Sequence, residues 1–140
     1  MKPEIYKDEG CKLMRAAFEV YNERGYGLAE GIYQQSPEIE LRLRAIPFSA
    51  KKDLRCFHKH RELAKRYVPG LFVFGCLIVE LEAVTQLLPE HEAQLYNHLR
   101  LARQPVGYLV NFGHKETLEW KRLILSEFIP VQASAFLGED

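Results

Sequence analysis

The sequence predicts a single α/β domain, a central mixed β-sheet flanked by helices, and three observations carry that expectation. The first half opens with stretches whose apolar residues recur at helical spacing. Short, nearly continuous apolar runs then follow at 71–74, 77–79 and 106–112, as in strands buried on both faces. Between the second and third of these lies one more helical stretch, so the order helix, helix, hairpin, strand, strand, helix, strand argues for one sheet with helices against it.

Each element has a local cause. Over 8–24, Leu13, Met14, Ala17, Phe18 and Tyr21 recur at three and four, and Gly25 and Gly27 stop the helix. A second helix is expected over about 28–44, with Ile32, Tyr33, Ile39, Leu41 and Leu43 as its burial candidates. Pro37 lies inside it and predicts a kink, or a break at which Ser36 caps a fresh helix. Residues 53–59 and 61–68 are short and mixed, and read as a half-exposed hairpin hinged at Lys59 and His60. A tight turn at Gly75 and Cys76 should join the two buried strands that follow. Pro89, with Glu90, His91 and Glu92 behind it, opens a third helix to about Ala102 that buries Ala93, Leu95, Leu99 and Ala102. VGYLVNF at 106–112 is the next buried strand, 118–124 an edge strand, and 131–140 a loose tail.

The chain has 140 residues, enough for one core and too few for two ordinary domains, so one domain over 1–140 is expected, with a core of about 10–125 and a tail from 126. Formal net charge is zero, which gives no support to binding duplex nucleic acid through the overall field. Local charge is uneven. Residues 51–66 hold Lys51, Lys52, Arg55, Lys59, Arg61, Lys65 and Arg66 against Asp53 and Glu62, whereas 80–92 is acidic. Such a run is ordinarily a solvated face, but a basic hairpin beside an acidic patch also suits metal and phosphate. Cys11, Cys56 and Cys76 are odd in number and widely spaced, as expected of reduced cysteines in a cytoplasmic protein. No secretory leader and no membrane-length apolar segment stands out, so no membrane partner is expected.

Several familiar signatures are absent: the phosphate loop, the dinucleotide glycine fingerprint, the nucleophile elbow and a paired-histidine zinc helix. His58, His60, His91, His98 and His114 read as surface or partly satisfied residues. The carboxylates remain. Glu80 and Glu82 lie two apart where a buried strand ends, so they share a face, and Glu30 on the second helix could meet them if that helix packs over the sheet. Clustered carboxylates suit magnesium, which can polarise a phosphodiester and activate water. The plainer reading has both acids solvated, or paired with basic neighbours, where the strand leaves the core.

The segment GLAEGIY at 27–33 resembles the motif of the GxxExxY proteins, a group within the PD-(D/E)XK nuclease-like superfamily. AAFEVYNERGYG before it, and IELRLRAIPF, IVELEAV, PEHEAQLYNHL and VGYLVNFG after it, are similar to that group in order and spacing, over about 10–125. The resemblance implies a restriction-endonuclease-like core. It also implies a site in which an aspartate after proline and a strand glutamate bind magnesium, while a lysine two residues beyond that glutamate positions water or stabilises phosphate charge. Glu30 matches the helix glutamate, Glu80 the strand glutamate and Gln94 the glutamine of the later helix. Pro69 is kept, but Gly70 stands at the aspartate position, Glu82 at the lysine position and His98 where a tyrosine is expected.

From these matches and departures, the catalytic positions are expected at Glu80, Glu82 and Gln94, partly vestigial, and the metal positions at Glu30 and Glu80. Magnesium is the implied cofactor, weakened or lost with the aspartate. Lys51, Lys52, Arg55, Lys59 and Arg61 are the expected contacts to DNA or another nucleic acid. The function expected is a degenerate nuclease-like protein that binds nucleic acid or regulates, with impaired or lost phosphodiesterase activity. An active magnesium-dependent DNA nuclease using Glu30, Glu80 and Glu82 is the first alternative, and a protein-interaction domain is the second.

Overall fold

The computed structural model describes residues 5–130. Its elements are α1 (Lys7–Arg24), α2 (Glu30–Leu43), β1 (Phe48–Ser49), β2 (Leu54–His58), β3 (Arg61–Tyr67), β4 (Leu71–Val73), β5 (Leu77–Glu82), α3 (Pro89–Ala102), β6 (Val106–Asn111) and β7 (Glu119–Ile124), with a 3₁₀ turn at Ser126–Phe128. Five strands form a mixed sheet in the order β1-β4-β5-β6-β7. Only β5 and β6 run parallel, and α3 makes the crossover between them. Strands β2 and β3 form a separate hairpin.

Strand alternation sends side chains to two cores. Leu77 and Val79 of β5, with Tyr108 and Val110 of β6, pack with Leu13, Ala17 and Val20 of α1 and Tyr33 and Leu41 of α2. Ile78, Leu109 and Leu123 point the other way, onto Leu95 and Leu99 of α3 and Leu54 of the hairpin. The expected helices on both faces are therefore present. Strand β7 is an edge, and the short β1, for which the sequence carries no strand signal, is the other.

The turns follow the hinge residues. Lys59 and His60 both take positive φ, as a two-residue hairpin turn demands, and Phe74 and Gly75 do the same between β4 and β5. Helix α2 runs through Pro37 without a break. Its burial is narrower than expected: Tyr33, Pro37 and Leu41 face the core at four-residue spacing, whereas Ile32, Ile39 and Leu43 are exposed. Only one stripe of α2 meets the sheet, so apolar residues off that stripe stay in solvent. Ala93 of α3 is likewise exposed, off the Leu95 and Leu99 face. The expected tail at 131–140 lies outside the described residues. Among these, no helix is long and apolar enough to cross a membrane.

Candidate functional site

Glu80 lies near the end of β5, on the face that meets α3 and the hairpin. The antiparallel ladder pairs Leu71 with Val79, so Gly70 stands just before the strand that runs beside Glu80. Two side chains from other elements close on the carboxylate. His98, on α3, donates from Nδ1 to Oε2 of Glu80 at 2.5 Å, and Tyr67, at the end of β3, donates its hydroxyl to the same oxygen. The rings of Tyr67 and His98 stack with centroids 4.3 Å apart. The Tyr67 phenol is pushed well above its ordinary range by burial first, then by the bond to Glu80 and by the Glu80 charge, so it stays a neutral donor.

Glu82 shares the face but not the partners. Its carboxyl is raised above the ordinary range, chiefly by burial and further by the charges of Glu80 and Glu30, against which His91 works in the other direction. Glu30 itself is exposed in the first turn of α2. The loop before it is shaped by Gly27 at φ +89°, which a side chain would strain, and by buried Tyr33. The Tyr33 hydroxyl donates to the Gly25 carbonyl at 2.5 Å and accepts from the Leu28 amide at 3.2 Å, while its ring stacks on Phe112 at 5.1 Å. Phe112 in turn donates its amide to the Glu82 carbonyl at 2.8 Å. The tyrosine of the 27–33 motif thus has a structural task, which is to hold the start of α2 near the end of β5.

The far side of the site is fixed by Asn111, the buried polar residue of β6. Its amide brackets Val84, accepting from the Val84 N–H at 2.9 Å and donating to the Val84 carbonyl at 2.9 Å, and it also donates to Glu119 at 3.0 Å. Burial works to raise the Glu119 carboxyl, but the bonds from Asn111 and the Leu87 amide, with the charges of His114 and Lys121, outweigh it and hold the group below its ordinary range. The chain leaving Glu82 is therefore pinned before α3 begins.

Of the expected site residues, Glu80 and Glu82 lie together, with Glu30 within electrostatic reach of Glu82. Gln94 is exposed, one turn before His98 on α3. Lys51 and Lys52 precede the hairpin, Arg55 is on β2, Lys59 is in its turn and Arg61 is on β3, and all five are exposed. Arg55 meets Glu62 at 3.5 Å; among the described residues the other four make no ion pair. Tyr67 escapes sequence reasoning, because a tyrosine ending an exposed strand carries no signal until the hairpin folds over α3. His98 is visible there only as a replacement.

Gly70 offers no side-chain oxygen, and a Cβ there would stand 3.1 Å from the Val79 carbonyl oxygen. Among the described residues no three His, Cys, Asp or Glu side chains gather as a metal-holding set. Magnesium asks for a near-octahedral oxygen shell, and Oε2 of Glu80 already takes two hydrogen bonds. The residues as arranged do not fit the ion: among the described residues Glu30, Glu80 and Glu82 do not gather as a metal-holding set.

Fold and site together define an α/β scaffold with a carboxylate held at the end of a central strand. Compared with known families, residues 7–123 match the PD-(D/E)XK nuclease superfamily, and the chain belongs to it. Comparison with curated proteins found no match, and comparison with solved structures found none either.

Proposed function

We propose that this chain is a degenerate PD-(D/E)XK protein of the GxxExxY type, a nucleic-acid-binding or regulatory module in which magnesium-dependent phosphodiester hydrolysis is impaired or lost. The observation that carries this reading is the state of Glu80. The acid that would head the metal site is committed to Tyr67 and His98, while Gly70 stands where the resemblance places the bridging aspartate. Deleting that ligand removes the group that would bring metal and phosphate together, and burial, which raises the Glu82 carboxyl, works against Glu82 taking its place.

Nucleic acid is the ligand suggested by membership of the superfamily, and the exposed cations Lys51, Lys52, Arg55, Lys59 and Arg61 are its contacts. A net charge of zero makes the binding local and salt-sensitive. Cys11, Cys56 and Cys76 are all free thiols, which suits a reducing, cytoplasmic setting.

The test is incubation of the protein with single- and double-stranded DNA in magnesium or manganese, beside Glu80→Ala and Gly70→Asp, with affinity measured at two salt concentrations. Binding that weakens with salt, without metal-dependent cleavage by the native chain, is expected. Magnesium-dependent cleavage that disappears in Glu80→Ala overturns the reading, as does absence of binding at low salt.

A further inference from the structure

Trp120 and Arg122 of the edge strand β7 pair in register with Val110 and Tyr108 of β6, so they lie on the face of the sheet that α1 covers. Helix α1 comes down tightly on Tyr108, where a Cβ at Gly10 would collide with the tyrosine hydroxyl. The edge beyond is less well covered. Trp120 remains 41% exposed, although its ring stacks on Tyr108 with centroids 6.2 Å apart. Between helix and edge lies a groove of about 580 Å³. Its helix wall is one stripe of α1, in which Cys11, Met14, Arg15, Phe18 and Asn22 follow Lys7 at helical spacing, so it runs for roughly 22 Å.

The lining is aromatic and apolar through Phe18, Met14, Tyr108 and Trp120, and cationic through Lys7, Arg15 and Arg122, against the acid Glu19. Arg122 donates to the Ile5 carbonyl at 2.6 Å, a neutral acceptor that leaves its charge uncompensated. Neither Arg15 nor Arg122 meets a carboxylate among the described residues. We propose that this groove binds single-stranded nucleic acid, with bases laid against Trp120 and Phe18 and phosphates met by Arg15 and Arg122. This rests on the nucleic-acid reading above and adds a surface to it, because the hairpin packs on the opposite face of the sheet.

The occupant follows from the two kinds of lining. An aliphatic ligand would fill the apolar walls and leave the guanidinium groups without a counter-charge, whereas a small anion would meet the cations and leave the walls wet. A single strand brings both at every repeat, a flat base and a phosphate, and it has the length to follow the helix. A duplex keeps its bases stacked inside, out of reach of Trp120. Because Glu80 lies on the α3 face and the groove on the α1 face, a strand held here is not presented to Glu80, and its binding needs no metal.

The experiment titrates the full chain, in EDTA, with an oligothymidylate of about twelve nucleotides, within the usual range of single-strand site sizes. It follows the fluorescence of Trp120, the chain's one tryptophan. Saturable quenching is expected, with no quenching at the same concentration by the oligothymidylate paired to its complement or by thymidine monophosphate. By anisotropy of a labelled oligothymidylate, Trp120→Ala should weaken binding by about fivefold or more, the loss of one base on an aromatic ring, and Trp120→Phe should restore most of it. Arg15→Ala should reduce the slope of log affinity against log salt by about 0.7. If Trp120→Ala fails to fold, as judged by its melting profile, Arg15→Glu takes its place and should weaken binding more than Arg15→Ala. Oligothymidylate that binds without quenching Trp120, or as tightly to these variants as to the native chain, overturns this proposal and leaves the nucleic-acid reading standing. Single strand and duplex that both fail to bind at low salt overturn both. Equal quenching by duplex, by the mononucleotide or by an acidic glutamate-tyrosine copolymer also overturns it.

Discussion

Glu80 and Glu82 lie two residues apart on one strand, and their surroundings give them different chemistry. Glu80 accepts two hydrogen bonds, whereas Glu82 is half-buried among like charges. Because the folded carboxyl of Glu82 is raised above its unfolded value of 4.5, the folded chain binds more protons over that interval, and stability falls as pH rises through it. Below the unfolded value the penalty vanishes. Glu82→Gln should therefore be more stable than the native chain near neutral pH and gain nothing in acid, as read from thermal melts between about pH 3 and about pH 7. The sequence placed both acids on one face, and it placed Gly70 in the aspartate's position. It could not distinguish their environments, because those depend on Tyr67 and His98, one from a hairpin and one from a helix.

At the scale of elements, the β2–β3 hairpin was legible from its hinge and its mixed polarity, and Lys59 and His60 do form the turn. Its charge is not equally available: Glu62 engages Arg55 at 3.5 Å and Arg66 at 3.4 Å, while Lys59 and Arg61 carry no ion pair among the described residues. If the hairpin contacts phosphates, Lys59→Ala and Arg61→Ala should each reduce the slope of log affinity against log salt by about 0.9. Arg55→Ala should change it less, and fluorescence anisotropy with a labelled oligonucleotide over a salt series reads the difference. Helix α2 shows where periodicity falls short. Its apolar residues are plain in the sequence, but which stripe faces the sheet is set by Tyr33 and Leu41 docking among Phe112 and the α1 side chains, not by hydrophobicity alone.

Across the whole molecule, parallel pairing of β5 and β6 forces the chain out of the sheet at Glu82, through α3, and back at Val106. Asn111 joins the pieces of that excursion, with Val84, Gly113 and Glu119 all on its amide. Asn111→Ala would leave the Val84 and Gly113 groups without these partners and should destabilise the fold by roughly 3 kcal/mol in urea denaturation. Gly113 adds a steric constraint there, since a Cβ would collide with the Val84 carbonyl oxygen.

By itself the sequence determined the α/β class, the hairpin, the buried strands and the position of the acids, because apolar period and turn residues act over a few neighbours. It also carried the superfamily, through motifs whose order survives loss of individual ligands. The tertiary structure decided the rest: Glu80 is held by two side chains, Glu82 is left partly desolvated, and Glu30 stands exposed in the first turn of α2. These outcomes depend on groups 13 and 18 residues away from Glu80 in the chain, brought within hydrogen-bond reach only when the hairpin and α3 close over the sheet.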